Sequence, residues 1–585
     1  MKIDLKVSVL LAGTALMALS GPAFAQTAID GYTPVTDEML ENPPAEDWLM
    51  SRGNRFNQGY SPLDKINKET VGDLELAWAW PMPEVGIQET APLVHDGVMF
   101  LQTNNNIIEA LDAKTGDLIW QYRHVLAEIP QSWSYQANQA RRQKNSIALA
   151  GDKVILTTAD AKIVVLNAAD GKVVWEKQVL DYQKGYSYTV GPLIVKDKII
   201  SAISGCSISG TAGGCYIMAH DLNTGDELWR FNTIDDPNNP EQQASWGEVP
   251  AENRWGGTPW ATGAYDARTN TTFWGVGMPG PYAELIRGSG DGDVLYTNST
   301  LALDADTGEL KWYYQHFPRD NWDLDSPFER VLVDQEIDGE THHLLVSVPG
   351  KNGIAFGLDR DTGEYLWSKD TVVQNVVTGI DDDGTVHINE DLISSAVGEQ
   401  HLACTSVSGG KLWMAGAYSP LTNGFYVPLT EACNTVAPTV SEFTAGNAVG
   451  AVQFGPRVLP EGITEAGLLQ ALDVNPTQGE SKWQYRSRPS MTSSVLTTGG
   501  GLVFGGDAGR YIKAWDQETG DVLWEQRLNA PIGGFPMTYE VDGEQYLAVP
   551  TGYSNAASSI SSAFPEIPLP TGNGNSIFVF KLPAE

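Results

Sequence analysis

Three carboxylates fall within the short run Pro318-Arg319-Asp320-Asn321-Trp322-Asp323-Leu324-Asp325. Asp323 and Asp325 alternate, so on an extended strand both side chains would point to the same side. Two acidic groups facing one space suit a metal ligand beside a general base. Carboxylate oxygens hold hard cations, and a positioned carboxylate can take the proton of a hydroxyl. The competing reading of this run alone is a solvated acidic loop.

The run directly follows one copy of a unit that recurs along the chain. That copy is Ala302-Leu303-Asp304-Ala305-Asp306-Thr307-Gly308, ending at Trp312. The unit returns as Ala110-Leu111-Asp112-Ala113-Lys114-Thr115-Gly116 with Trp120, and as Val165-Leu166-Asn167-Ala168-Ala169-Asp170-Gly171 with Trp175. Further copies end at Trp229, Trp274, Trp367, Trp483 and Trp524, and a degenerate one spans Ala417–Gly424. Roughly eight or nine copies, about 40–55 residues apart, fit one four-stranded blade per unit. An apolar strand ends at Asp, which caps a tight turn, and Gly supplies positive φ. A short strand then ends on a Trp that can wedge between neighbouring sheets. The spacing predicts an all-β radial propeller with a central channel.

Composition narrows the function. The 585 residues carry 60 glycines and a formal net charge of -36. No basic face is available for phosphate, which excludes nucleic acid as a partner. A basic protein partner, such as a small electron carrier, would be steered toward this field. Lys2 and Lys6, the apolar run Val7–Leu19 and Ala23-Phe24-Ala25 predict a leader over residues 1–25. The remainder, 26–585, reads as one exported, periplasmic propeller domain with no membrane span. Export permits disulfides. The order of Cys206, Cys215, Cys404 and Cys433 suggests 206–215 and 404–433, among three possible connectivities. No Cys-x-x-Cys-His is present to attach haem, and composition leaves the oligomeric state open.

The repeated Asp-x-x-Thr-Gly-x-x-x-Trp units, together with the Asp-x-Trp-Asp segment, resemble the quinoprotein alcohol dehydrogenases. Ser61-Pro62-Leu63, with Ile66-Asn67 and Leu74-Leu76-Trp78, is similar to that family's approach into the propeller. The likeness runs from about Trp48 to Phe580. Within the family it looks nearest to the soluble sorbose/sorbosone dehydrogenase branch and a related enzyme acting on deoxynivalenol. The resemblance implies an eight-bladed propeller of four-stranded blades docked through tryptophans. It also implies pyrroloquinoline quinone as cofactor, with calcium or a lanthanide. The reaction implied is hydride transfer from an alcohol, sugar or secondary hydroxyl, with electrons leaving to an external acceptor such as a cytochrome c.

Carried over position by position, the resemblance makes Asp323 the base. Lys351, 28 residues later in Pro349-Gly350-Lys351-Asn352-Gly353, becomes the cation that stabilises the developing oxyanion. Glu89 in Gln88-Glu89-Thr90-Ala91-Pro92, Thr189, Ser204, Gly205 and Thr258 become quinone contacts, and Trp260 the indole floor under the ring. Asp323, Asp325 and Ser207 are the candidate metal ligands. Several positions depart from the family. Gln139 and Ala140 stand where many members carry vicinal cysteines, Asn145 where an Arg follows, and Leu412 and Thr492 at two further contacts. Ser207 and Met278 replace two metal-binding side chains, and a thioether is a poor ligand for a hard cation. The alternative reading is a non-catalytic propeller scaffold or binding protein that keeps the surface and loses the chemistry. Asp323, Lys351, Glu89 and Trp260 held together argue against it.

Overall fold

The computed structural model describes residues 27–84, 86–128, 143–144, 147–206, 214–405, 407–440, 450–477, 479–553, 563–567 and 574–584. The predicted leader, Gln139, Ala140, Asn145 and Ser207 lie outside them. Among the described residues, seven four-stranded antiparallel sheets and one five-stranded sheet carry the architecture. Helices are few and short. The result is an all-β propeller.

The sheet over Leu93–His95, Val98–Thr103, Ile107–Asp112 and Leu118–Arg123 shows how one unit folds. Its first three strands are almost wholly buried, and in its fourth only Trp120 is. Between strands three and four, Asp112 Oδ1 accepts the N–H groups of Lys114 and Thr115, at 2.8 and 2.9 Å. Gly116 takes φ +78° to close the turn, a region that costs glycine nothing. The same Asx cap recurs at Asp221, Asp304, Asp359 and Asp516.

Seven tryptophans on fourth strands meet the turn of the following sheet, whereas Trp524 packs edge-on against Phe580. Trp120 Nε1 donates to Ala168 O at 2.9 Å, and its ring covers Gly171, where a Cβ would lie 2.6 Å from the indole. Trp78, Trp175, Trp229 and Trp483 repeat this against Gly116, Gly225, Gly308 and Gly520. Trp312 and Trp367 cover Gly363 and Gly479. Trp274 corrects the expected pattern. It lies on the second strand of its sheet, Thr271–Gly275, because the hairpin before it joins strands one and two.

Two devices close the structure. Glu75–Pro81 pairs antiparallel with Ser576–Lys581, so the first long strand completes the last sheet. The segment around residues 48–59 then runs across the first strands of successive sheets. Trp48 exchanges both backbone hydrogen bonds with Val94, and the carbonyls of Arg55, Phe56, Gln58 and Gly59 accept from Tyr265, Leu332, Tyr418 and Thr497. This segment thereby ties the first strands of five sheets together.

Strand direction alternates within each sheet. Second-to-third-strand loops and sheet-to-sheet connections therefore emerge at one end, and the Thr-Gly turns at the other. Glu89, Thr189, Thr258, Trp260 and Asp320–Asp325 sit in sheet-to-sheet connections. Ser204, Gly205, Met278 and Lys351 sit in second-to-third-strand loops. All the sequence-derived candidates that the structure describes thus share one end of the propeller. The disulfides are Cys206–Cys215 and Cys404–Cys433.

Candidate active site

The acidic run is not an extended strand. Asp323 takes φ +62°, a left-handed conformation that Asp tolerates better than most residues. Asp320 imposes this shape. Its Oδ1 accepts Trp322 N–H at 2.8 Å, and its Oδ2 accepts Leu324 N–H at 2.8 Å and Asn298 Nδ2 at 3.1 Å. Asp320 is thus a buried anchor of the loop, and Trp322, packed on Phe317, is core. The expected convergence of Asp323 and Asp325 holds, by this turn rather than by strand alternation.

Their shared target is Lys351. Its Nζ lies 2.7 Å from Asp325 Oδ2 and 3.2 Å from Asp323 Oδ1, and donates to the Asp323 carbonyl at 2.9 Å. Lys351 N–H also contacts the carbonyls of Leu324 and Asp325, each at 3.1 Å, tying the two loops together. Gly350 permits the approach, since a Cβ there would lie 2.5 Å from the Asp325 carbonyl oxygen. All three side chains are buried. Burial pushes the Asp323 carboxyl well above the usual range; the Lys351 ammonium pulls it back, while Asp325 and Asp320 push it further. Burial alone would lower the Lys351 ammonium, but Asp323 and Asp325 together outweigh it and hold the group above its ordinary value.

The rest of the site builds outward. Asp325 Oδ1 accepts Met278 N–H at 3.1 Å. Gly277, whose N–H donates to Thr258 O at 2.9 Å, has no room for a side chain: a Cβ would lie 2.5 Å from Asp325 Oδ1 and 3.4 Å from Trp260 Nε1. Trp260 therefore stands beside the Asp325–Lys351 pair, its ring edge-on to Phe328 at 5.1 Å. Thr258 Oγ1 lies 3.3 Å from Cys215 Sγ, and the disulfide leads to Cys206, next to Gly205. Ser204 Oγ and Thr189 Oγ1 are 2.6 Å apart. At Gly205, φ is +90° and a Cβ would collide with the Gly185 carbonyl at 2.0 Å, so only glycine fits.

The structure thus joins Thr258, Trp260, Asp323, Asp325 and Lys351 in one cluster, and Thr189, Ser204 and Gly205 in a second beside it. Glu89 lies at the same end in the strand Gln88–Glu89, parallel to Gln143–Lys144. Among the described residues, no hydrogen bond or ion pair links its side chain to either cluster. Leu412 is half-buried, and Thr492 is spent on a hydrogen bond to Ile532 O at 2.8 Å. Sequence reasoning missed Phe328 under Trp260 and the pair Lys411–Glu329 beyond it. Neither carries a motif, and only the fold brings them to the site.

The donor set fits a planar, multiply carboxylated quinone. It offers an indole face, paired hydroxyls and glycine backbone open to close approach, and a buried ammonium. The fit to a metal ion is in kind and not in number. Calcium and the lanthanides are hard cations, and calcium takes six to eight oxygens. Among the described residues no cluster of three His, Cys, Asp or Glu side chains forms. Asp323 and Asp325 instead share an ammonium.

Comparison with known proteins agrees with this geometry. The family profile described as "PQQ: Glucose/ethanol/alcohol dehydrogenase, beta-propeller domain" matches residues 48–380 and 465–547. The quinoprotein alcohol dehydrogenase PedH of Pseudomonas putida is 32% identical over 594 residues, covering 97% of this chain and 96% of that protein. A quinoprotein ethanol dehydrogenase of Pseudomonas aeruginosa is 32% identical over 567 residues, covering 90% and 89%. Among solved structures, a europium-containing methanol dehydrogenase superposes with a TM-score of 0.85 at 27% identity, covering 94% of this chain and 100% of the other. Repeat, site and full-length similarity together place this chain in the PQQ-dependent glucose/ethanol/alcohol dehydrogenase β-propeller family.

Proposed function

We propose that this family member, an oxidoreductase acting on alcohols with pyrroloquinoline quinone, oxidises its substrate over Trp260 with Asp323 as base. The observation that carries the reading is the buried Asp323–Lys351–Asp325 constellation. The bound quinone supplies a hydride acceptor. This chain's residues do the rest. Asp323 takes the hydroxyl proton as hydride leaves the carbinol carbon, and its raised affinity for protons suits that task. Lys351 offers its ammonium to the oxygen on which negative charge develops. Asp325 holds Lys351 in place from one oxygen and fixes the Met278 backbone with the other. Trp260 is the flat floor. Thr258 is a polar contact, Thr189, Ser204 and Gly205 receive a cofactor carboxylate, and Glu89 makes a further contact at the rim.

A hard cation, calcium or a lanthanide, would be held by Asp323 and Asp325, with Ser207 and oxygens of the cofactor. The likeness to a europium-containing methanol dehydrogenase supports that class of ion. The eight sheets with their relayed tryptophans support a closed eight-bladed ring. The charge of -36 and the absence of a haem-attachment motif support electron transfer to a separate basic carrier, such as a cytochrome c, after export to the periplasm with residues 1–25 removed. No described helix is long and apolar enough to cross a membrane. The substrate is a secondary alcohol, sugar or polyol.

The test is reconstitution of the apoprotein with pyrroloquinoline quinone and either calcium or lanthanum, followed by dye reduction with a panel of alcohols and sugars. Quinone-dependent turnover is expected. No binding and no turnover with either ion would favour a scaffold instead.

A further inference from the structure

Against Phe328, the ring that packs on Trp260, lies a charged cluster that the mechanism above does not use. Lys411 is fully enclosed, with Nζ 2.6 Å from Glu329 Oε2. Glu329 Oε1 accepts Gly416 N–H at 2.7 Å. Two buried guanidiniums complete the group. Arg330 is bound by Thr300 Oγ1 and the carbonyls of Ser299, Ser326 and Phe328. Arg52, from the segment 48–59, donates to the carbonyls of Gly416 and Val495. The charge of Glu329 acts on all three cations. Three cations against one carboxylate leave a buried excess of two positive charges.

Such an excess is costly. Buried ions lose their hydration, and carbonyl dipoles replace it only in part. The position of the cluster suggests what the cost serves. The Lys411 ammonium sits 4.9 Å from the centre of the Phe328 ring, and that ring meets Trp260 edge-on at 5.1 Å. Lys411 also follows Gly410, where a Cβ would lie 2.0 Å from the Lys351 carbonyl oxygen. The Lys411 ammonium is therefore separated from Trp260 by a single aromatic ring.

We propose that the Lys411–Glu329 pair, backed by Arg52 and Arg330, sets the reduction potential of the cofactor held on Trp260. The inference rests on the quinone reading. Oxidation of an alcohol releases a hydride from carbon and a proton from oxygen, leaving a carbonyl compound and two electrons on the cofactor until a carrier removes them. Positive charge one aromatic ring beyond Trp260, in a medium of low dielectric, favours the electron-rich state. None of the four side chains touches substrate or cofactor; they act through the field across Phe328.

The charge count fixes the signs. Lys411→Met reduces the excess to one. Glu329→Gln raises it to three. The double variant restores two. Each protein is loaded with pyrroloquinoline quinone and equilibrated with redox mediators, and the oxidised-to-reduced ratio is read from the absorbance spectrum. Lys411→Met is expected to shift the ratio about tenfold toward the oxidised form, and Glu329→Gln about tenfold toward the reduced form. Tenfold is about 30 mV for a two-electron couple. The double variant is expected to stay within about twofold of wild type. Damage to packing alone would not produce opposite signs that cancel. Should Lys411→Met fail to fold, Glu329→Gln and the double variant still read the sign. Shifts in one direction, or none, with quinone bound and turning over would overturn this inference and leave the dehydrogenase intact. Failure of wild type to bind quinone would overturn both.

Discussion

Lys351 Nζ is held 2.7 Å from Asp325 Oδ2, closer than to Asp323 Oδ1 at 3.2 Å. The shorter contact belongs to the carboxylate that is also pinned by Met278 N–H. Asp325 thus anchors the ammonium, and Asp323, the proposed base, is held less firmly. Lys351→Met is expected to lower kcat/KM about 10²–10³-fold, as for loss of an oxyanion donor. It also leaves two buried carboxylates facing each other, a loss of about 3–5 kcal/mol in folding stability. Asp325→Asn removes the anchor but keeps the Asp323 contact, so about tenfold in kcat is expected with little change in KM. Steady-state kinetics and urea unfolding of both variants check this.

The pH profile follows from the environment of Asp323. Burial raises its pKa, so the basic form is gained only as pH rises, and kcat/KM is expected to climb along an acid limb. The Lys351 ammonium opposes that rise. In Lys351→Met the limb is therefore expected to move to higher pH. A limb that stays in place, or moves to lower pH, would show that Asp323 does not titrate in the reaction.

Trp120 is the clearest test of how the sheets are joined. It is fully buried, donates to Ala168 O at 2.9 Å and covers Gly171. Trp120→Ala is expected to cost about 3–5 kcal/mol. Trp120→Phe keeps much of the ring and loses the hydrogen bond, about 1 kcal/mol plus a small packing loss. Gly171→Ala places a methyl against the indole at φ +69°, and is also expected to destabilise. Chemical denaturation ranks the three.

The propeller was legible from the Asp-x-x-Thr-Gly…Trp repeat because one residue type recurs at one structural position, and its turn chemistry is local. Asp323, Lys351 and Trp260 were legible because each sits in a short segment with its own pattern. Two features were not. The left-handed turn at Asp323 depends on Asp320 and on Asn298 from another loop, so no local pattern encodes it. The Lys411–Glu329 pair joins residues 82 positions apart, and Arg52 comes from the opposite end of the chain. Trp274 misled because a first hairpin with Asp and Asn can imitate the third-to-fourth-strand turn.

Asp507 supplies a stability test away from the chemistry. Burial raises its carboxyl from 3.8 to about 6, with Lys513 opposing. The folded protein therefore binds this proton more tightly than the unfolded chain. The associated stability is present below about pH 3.8 and is lost as pH rises through about 6. Asp507→Asn keeps an oxygen for Tyr511 N–H and carries no charge to bury. It is expected to be more stable than wild type above pH 6, by up to about 3 kcal/mol, with a flatter dependence between pH 4 and 6. Thermal unfolding across that range reads the difference; a variant equally destabilised at every pH would contradict it.

The role of Asp323 is tested most directly by a single turnover. Wild type and Asp323→Asn are loaded with one equivalent of quinone, mixed with excess alcohol, and followed by the absorbance of the cofactor. Both are expected to bind the quinone, since Trp260, Ser204 and Gly205 are untouched. Reduction in Asp323→Asn is expected to be about 10²–10⁴-fold slower, the range for loss of a general base. Reduction at the wild-type rate, with quinone bound in both proteins, would contradict the assignment of Asp323 as the group that takes the hydroxyl proton.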